Sequence, residues 1–348
     1  MRKSAYIFFI SAFIVVFLTC LIPSAFGLKT VSKNPYLGAI VIDAATGKVL
    51  VEAHADTKGY PASMIKLMNL LIILEAVDAG HISLADEVTV SARVSKIGGS
   101  QVYLKEKEVF PVGELLYAMI VQSANDAALA LAVHYTGSME VFVDLMNKKA
   151  QEIGMKNTVF HSVHGLPPSK KQLPDVSTPR DMAKLCRELL KHPEALKYTS
   201  TKVRKFRPDA KVPFIMRAHN HLLKDFEGCD GFKTGYFRAG GFSIAATAEK
   251  SGVRAIAVVF GSVSSKIRDK NARFLLSKGL MEILTNPPPP VAKVAKKDKA
   301  SENADLKSET EYIRIPKRAF KIIVTVNVVV IMLLFAVVFF QRTRRKRY

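Results

Sequence analysis

Residues 61–76 read PASMIKLMNLLIILEA, a run in which apolar side chains occupy nearly every position. A helix that is apolar on all sides is typical of a helix buried in a protein interior. Ser63 and Lys66 stand three residues apart at the start of this run. That spacing places two side chains on the same helix face, about 5–6 Å apart at Cβ. The segment therefore predicts a central buried helix whose first turn carries a hydroxyl beside an amine.

This pair suits nucleophilic attack on a carbonyl group. A serine hydroxyl is a weak nucleophile until a base accepts its proton, and Lys66 can do so only when it is uncharged. Burial and a nearby cation lower the pKa of a lysine, and Lys233 is a candidate for that cation. The free N–H groups at a helix N-terminus also favour a developing oxyanion. The alternative is that Ser63 is an ordinary N-cap residue.

A second motif, Ser123-Ala124-Asn125, falls between two predicted helices. Ser123 is suited to relay a proton between the base and a leaving nitrogen. Asn125 carries both an amide donor and an acceptor for a substrate peptide bond. The alternative is that Asn125 and Asp126 cap the following helix.

The third motif is Lys233-Thr234-Gly235, which precedes two predicted strands. Lys233 and Thr234 suit recognition of a substrate carboxylate, and Gly235 lets the backbone approach a ligand closely. In isolation this tripeptide is an ordinary surface turn. The order S-x-x-K, S-x-N and K-T-G is typical of the serine enzymes that interact with penicillin, and it indicates acyl transfer without a catalytic histidine.

The secondary-structure pattern indicates an α+β fold. Strands are predicted near both ends of the central region and helices between them, so one sheet is assembled from both ends and carries a helical insertion. Ser177 to Asp181 has the pattern of a helix start, with a cap, a proline in the first turn and an acid. The predicted strands are 38–44, 48–54, 242–248 and 253–261, and the other predicted helices are 114–122, 126–135, 142–153 and 271–284.

The chain resembles the D-alanyl-D-alanine carboxypeptidases, which are low-molecular-mass penicillin-binding proteins. The resemblance extends from about residue 35 to about residue 284. Besides the three motifs it rests on further segments, among them Gly99-Ser100, Met146-Asn147, Gly165-Leu166, Ser177-Thr178 and Asp230-Gly231-Phe232.

The resemblance implies a β-lactamase/transpeptidase-like fold, with a five-stranded antiparallel sheet packed by helices and a helical subdomain. It also implies that a terminal D-alanine is removed from peptidoglycan stem peptides through an acyl-enzyme, and that β-lactams are covalent inhibitors. Ser63 resembles the nucleophile, Lys66 the proton acceptor and Ser123 the third catalytic residue. The implied substrate-binding residues are Asn125, Lys233, Thr234, Gly235 and Arg268, the last of these at the place of a carboxylate-binding arginine.

Two positions depart from the family pattern. Phe237 stands where many relatives have threonine after the third motif, and Asn69 stands where threonine is usual. The larger relatives continue into a β-sandwich, whereas here only a tether and an apolar segment follow. We therefore expect a pocket of different shape and a different form of membrane attachment.

The composition along the chain predicts five regions. Residues 1–27 have the basic start, apolar run and small residues of a signal peptide, with an uncleaved anchor as the alternative. The catalytic domain is predicted for 28–285 and a proline- and lysine-rich tether for 286–320. Residues 321–341 are predicted to cross the membrane once and 342–348 to form a basic cytoplasmic tail. The domain would then lie outside the cytoplasm, held at the cell membrane.

Charge and cysteine content exclude other classes of function. Roughly half of the net charge of +21 falls outside the predicted domain, which disfavours nucleic-acid binding. The pairs His161/His164 and His219/His221 lack an H-E-x-x-H pattern, so no metal or cofactor is expected. Cys186 and Cys229 are expected to be separate thiols.

Other functions remain open from the residues alone. A β-lactamase is one alternative, although the chain lacks the E-x-x-L-N segment that carries the deacylating glutamate of class A enzymes. A non-enzymatic penicillin sensor or wall-binding scaffold is another. Transpeptidation, in which an amine replaces water, would use the same acyl-enzyme.

Overall fold

A computed structural model describes residues 28–169 and 172–287. The predicted signal peptide, membrane-spanning segment and cytoplasmic tail, and all but the first two residues of the predicted tether, lie outside these residues. Within these two ranges, no helix combines the length and apolar character needed to cross a bilayer. The five-region division stays a prediction.

A five-stranded antiparallel sheet forms the frame of the fold. The strands are β1 (Gly38–Asp43), β2 (Val49–Ala53), β7 (Cys229–Phe237), β8 (Gly241–Lys250) and β9 (Val253–Ser262). They lie in the order β2-β1-β9-β8-β7, so the first and the last strand of the described region pair with each other. The predicted α+β class and the five-stranded antiparallel sheet are confirmed, and β7 is an edge strand.

Helices and two small two-stranded sheets fill the chain between β2 and β7. These sheets pair β3 (Glu87–Thr89) with β4 (Val109–Pro111), and β5 (Val203–Phe206) with β6 (Phe214–Arg217). The helices are α1 (Lys66–Asp78), α2 (Ala92–Ser95), α3 (Val112–Val121), α4 (Asn125–Thr136), α5 (Met139–Glu152), α6 (Pro179–Leu189), α7 (Glu194–Thr199) and α8 (Leu222–Asp225). Helix α9 (Ser265–Thr285) follows the last strand.

Both faces of the sheet are buried. Alternate residues of β9 point to opposite sides, with Ile256 and Val258 in the larger core and Ala257 and Val259 in the smaller one. Helix α9 covers the smaller core, and α1 lies at the centre of the larger. Every residue of α1 from Lys66 to Leu74 is buried, as the apolar run predicts.

Several helix starts follow the local sequence. The Thr178 side chain accepts a hydrogen bond from the backbone N–H of Asp181, which confirms the predicted cap of α6. Helix α9 begins six residues earlier than predicted, because Ser264 caps it by accepting from the N–H of Ile267. Cys186 is buried and Cys229 half-buried, and both are free thiols, as expected.

Candidate active site

Ser63 lies on a single 3₁₀ turn (Ala62–Ile65) that leads into α1. The interpretation of Ser63 as an N-cap is wrong, because the cap positions of the turn and of the helix are Pro61 and Ile65, and neither makes a side-chain cap bond. The preceding Ala62 has a φ of 49°, in the left-handed region that is unfavourable for alanine. The turn therefore presents the hydroxyl outward instead of using it to close the helix.

Two glycines allow other segments to press against this turn. A Cβ atom on Gly235 of strand β7 would lie 2.2 Å from the carbonyl oxygen of Pro61. A Cβ atom on Gly165 would lie 2.2 Å from the carbonyl oxygen of Ala62. Since any larger residue would displace the turn, both glycines fix the position of Ser63 relative to strand β7 and to the loop containing His164.

The amine of Lys66 makes three hydrogen bonds. Its Nζ lies 2.9 Å from Ser63 Oγ, 2.8 Å from Asn125 Oδ1 and 2.8 Å from the backbone carbonyl oxygen of His164. The side chain is fully buried, and this burial lowers the pKa of Lys66 well below its usual range. The nearby Lys233 ammonium lowers it further, whereas Asp175 and Asp126 oppose the shift.

The two carboxylates near Lys66 are already satisfied by other donors. Asp175 accepts hydrogen bonds from the backbone N–H groups of His161 and Ser162 and from the Ser162 hydroxyl. Asp126 accepts from the N–H groups of Val102 and Leu104 and from that of its neighbour Ala127. Neither contacts the amine of Lys66, so they influence it only through their charge.

The second motif lies in the connection between α3 and α4. Ser123 has a φ of 63°, a strained conformation for a residue other than glycine, and its side chain faces the same cleft as Ser63. Helix α4 begins at Asn125, but its N-cap is Ala124 and no side chain caps it. The alternative role of Asn125 as a cap is therefore wrong. Its Nδ2 instead donates to the carbonyl oxygen of Gly98 at 2.8 Å, leaving one amide N–H available.

The third motif lies on the edge strand β7. Lys233 is 3 % exposed and its Nζ donates to the carbonyl oxygen of Thr234 at 3.1 Å. Burial, together with the charge of Arg268, lowers the pKa of Lys233 to about 7. The unpaired backbone edge of β7 is available to an extended peptide, which could join the sheet as a further strand.

Arg268 lies in the first turn of α9 and lines the cleft. It is 4 % exposed, and its Nε donates to Asp269 Oδ1 at 2.7 Å. Burial lowers the pKa of its guanidinium, whereas Asp269 opposes the shift. Arg268 is thus close enough for its charge to act on Lys233, but it already has a carboxylate partner in Asp269.

All of the predicted site residues converge on one cleft of about 810 Å³. Ser63, Ser123, Asn125, Thr234, Gly235 and Arg268 line it. Lys66 and Lys233 lie buried behind these residues, one hydrogen bond away from Ser63 and Thr234 respectively. The arrangement places a nucleophile, a lysine of lowered pKa and a cationic pocket in one open space.

Some functional contacts were missed from the sequence. The carbonyl oxygen of His164 holds Lys66, yet a backbone carbonyl leaves no signature in the residue type. The imidazole of His164 accepts from the N–H of Leu166, and burial lowers its pKa to about 4, so the ring is neutral near pH 7. Among the described residues no three potential metal ligands gather at one place.

The two departures from the family pattern have structural consequences. Phe237 lines the cleft and stacks on Tyr60 with ring centroids 5.6 Å apart, so an aromatic wall stands where many relatives have a small polar residue. Asn69 donates from Nδ2 to the carbonyl oxygen of Val163 at 2.8 Å, which supports the segment next to His164. Its Oδ1 is buried without a partner in the described part of the chain.

The chain is similar in sequence to known proteins over most of the described region. Residues 36–264 match the family model for S11 peptidases, described as D-alanyl-D-alanine carboxypeptidase. The chain is 37 % identical over 270 residues to D-alanyl-D-alanine carboxypeptidase DacF of Bacillus subtilis, covering 76 % of this chain and 68 % of that protein. It is 36 % identical over 279 residues to DacC of Escherichia coli, covering 77 % of this chain and 67 % of that protein.

The chain is also similar to solved structures of a penicillin-binding protein and a D-alanyl-D-alanine carboxypeptidase. The crystal structure of penicillin-binding protein D2 from Listeria monocytogenes in its ampicillin-bound form has a TM-score of 0.64 and 31 % identity, covering 71 % of this chain and 97 % of that one. The crystal structure of D-alanyl-D-alanine carboxypeptidase DacD from Francisella tularensis has a TM-score of 0.65 and 28 % identity, covering 75 % of this chain and 72 % of that one.

Proposed function

The chain belongs to the D-alanyl-D-alanine carboxypeptidase family, and we propose from its geometry how it removes the terminal D-alanine of a peptidoglycan stem peptide. The observation that carries the proposal is the 2.9 Å contact between Ser63 Oγ and the buried amine of Lys66. The enzyme is a serine peptidase, and β-lactams acylate the same hydroxyl.

In the first half-reaction the Ser63 hydroxyl gives its proton to Lys66 Nζ and its oxygen attacks the carbonyl carbon of the penultimate D-alanine. The backbone N–H of Ser63 stabilises the resulting oxyanion. The C–N bond then breaks, and the leaving amine takes a proton from Lys66 through the Ser123 hydroxyl. D-alanine departs, and the rest of the peptide remains as an ester on Ser63.

In the second half-reaction water replaces the amine. Lys66 accepts a proton from the water, the hydroxide attacks the ester carbonyl, and the bond to Ser63 Oγ breaks as that oxygen takes the proton back from Lys66. Lys233, Thr234 and Arg268 hold the terminal carboxylate during the first step. Asn125 and the edge of β7 align the peptide backbone.

The β-lactamase alternative is disfavoured by the charges around the cleft. None of the described residues that line it is an aspartate or glutamate, so no carboxylate is placed to activate water against the ester. The acids closest to Lys66, Asp126 and Asp175, are occupied by backbone donors. Activation of water would then fall to Lys66 alone, and we expect a penicilloyl ester on Ser63 to be hydrolysed more slowly than in a class A β-lactamase.

The full-length protein in detergent tests the assignment. It should be labelled by a fluorescent penicillin and should release D-alanine from a D-Ala-D-Ala pentapeptide, and Ser63→Ala should abolish both. Release of D-alanine by Ser63→Ala would overturn the proposal. Labelling followed by rapid loss of the label would favour a β-lactamase instead.

We further propose that the domain works outside the cytoplasm at the cell membrane. The support lies in the sequence: an apolar run follows Arg2 and Lys3, and a second apolar run at 322–340 precedes a cluster of cations. In intact spheroplasts, external protease should cut the domain and leave a short membrane-bound fragment. Protection of the domain in sealed spheroplasts would contradict this arrangement.

A further inference from the structure

Two arginines that line the cleft lack the carboxylate or carbonyl partners that the other arginines of the described residues have. In residues 28–169 and 172–287, every arginine except Arg217 and Arg238 places its guanidinium against a carboxylate or a backbone carbonyl. Arg180 and Arg254, for example, each bond two carboxylates. Arg217 and Arg238 have no such partner within these ranges, and both line the cleft.

The two arginines come from different parts of the fold. Arg217 ends strand β6, and Arg238 lies in the turn between β7 and β8, directly after the edge strand. Both side chains are exposed, and Lys224 also lines the cleft. Since the described lining contains no aspartate or glutamate, these cations raise the positive potential of the cleft without internal compensation.

The carboxylate of the terminal D-alanine does not account for these charges. In the proposed function that carboxylate is held by Lys233, Thr234 and Arg268, all of them buried at the floor of the cleft. Arg217 and Arg238 are at its exposed rim. A guanidinium binds a carboxylate through two parallel hydrogen bonds, so an unpaired arginine facing a substrate cleft is suited to a second carboxylate.

We propose that Arg217 and Arg238 form a second carboxylate site, which binds an acidic group of the stem peptide on the amino-terminal side of the scissile D-Ala–D-Ala bond. This inference rests on the proposed function. Two substrate groups have this chemistry: the free α-carboxylate of a γ-linked D-glutamyl residue, and the side-chain carboxylate of a diamino dicarboxylic acid at the third position. The enzyme would accordingly discriminate against stem peptides in which that group is amidated.

Four pentapeptides that all end in D-Ala-D-Ala test the site. One carries both upstream carboxylates, two carry one each with the other amidated, and the fourth is amidated at both. We expect the full-length enzyme to cleave the diacid with kcat/KM about two- to fivefold above the diamide, mainly through KM, as fits one exposed charge-assisted contact. The ratio should shrink as salt rises from about 0.05 to 0.5 M, because salt screens exposed charges.

Arg217→Gln combined with Arg238→Gln should bring this ratio close to one while leaving the diamide rate and labelling by penicillin unchanged. Arg93→Gln, which removes an exposed arginine that pairs with Glu140 and does not line the cleft, is the matched control and should keep the ratio. The two singly amidated peptides identify which carboxylate binds.

The outcomes separate the two proposals. If wild-type enzyme cleaves all four peptides with equal kcat/KM, or if the double variant keeps the wild-type ratio, the second site is overturned while the carboxypeptidase function stands. If no peptide releases D-alanine, the proposed function itself fails.

Discussion

The Nζ atom of Lys66 lies 2.9 Å from Ser63 Oγ, and its two other hydrogen-bond partners are both pure acceptors. An uncharged amine has two N–H donors and one lone pair. In that state the two donors can bind Asn125 Oδ1 and the His164 carbonyl while the lone pair accepts from the hydroxyl. Burial and the charge of Lys233, which lower the pKa of Lys66, favour this protonation state, the one that can accept the proton of Ser63.

Replacing Lys66 by arginine should abolish acylation, although a cation is kept. A guanidinium does not lose its proton in proteins, so it cannot act as the base. We expect acylation by fluorescent penicillin to fall about 10²- to 10⁴-fold in Lys66→Arg, and by a similar factor in Lys66→Met. If Lys66→Arg retained activity, the lysine would serve only as a positive charge. Thermal unfolding of both variants checks that the fold is intact.

The pH dependence should reflect two lysines with opposite requirements. Lys66 must be neutral to accept a proton, so acylation falls as the pH decreases through its lowered pKa. Lys233 must be charged to hold a carboxylate, and its pKa is about 7. We therefore expect kcat/KM for a D-Ala-D-Ala peptide to decline as the pH rises above about 7.

The variant Lys233→Arg isolates the alkaline limb of this profile. Arginine stays charged throughout the accessible pH range, so the decline above pH 7 should disappear, even if the maximum is lower. An unchanged alkaline limb in Lys233→Arg would mean that another group causes it.

Asn125 should control the pKa of the base. Asn125→Asp would place a carboxylate where Oδ1 now lies, 2.8 Å from Lys66 Nζ, and a neighbouring anion raises a lysine pKa. We expect the acid limb of the acylation profile to move to higher pH, with activity partly regained in alkaline buffer. Asn125→Ala is the control, since it removes the acceptor without adding charge. Equal shifts in the two variants would contradict an electrostatic role.

Much of the fold was predictable because it follows from local patterns. The β1–β2 hairpin is confirmed by pairing between Ala39 and Ala53, and the cap at Thr178 starts its helix as predicted. The early start of α9 could also have been found, since Ser264 precedes it in the sequence. That extra turn carries Arg268.

Other parts of the site depend on contacts between distant segments. The 3₁₀ conformation at Ser63 arises where Gly165 and Gly235 approach it from elsewhere in the chain. The His164 carbonyl binds Lys66 from 98 residues away, and no residue type encodes a backbone acceptor. Likewise, a sequence shows that Arg217 and Arg238 exist but cannot show that they lack partners.

Gly165→Ala should lower both the stability and the activity of the enzyme. The same change at Gly154 separates the effect of backbone strain from that of a steric clash. Gly165 has a φ of 75° and its added Cβ would meet the Ala62 carbonyl oxygen at 2.2 Å. Gly154 has nearly the same φ, 74°, but nothing lies within 4 Å of its added Cβ. Both changes carry the left-handed backbone penalty of about 1 kcal/mol, whereas only Gly165→Ala adds a clash, about 1–3 kcal/mol more. Denaturant unfolding should show this difference, and penicillin labelling should slow only in Gly165→Ala, because the clash displaces the turn that holds Ser63. If penicillin labelled Gly154→Ala equally slowly, backbone strain rather than displacement of the nucleophile would explain the slower labelling.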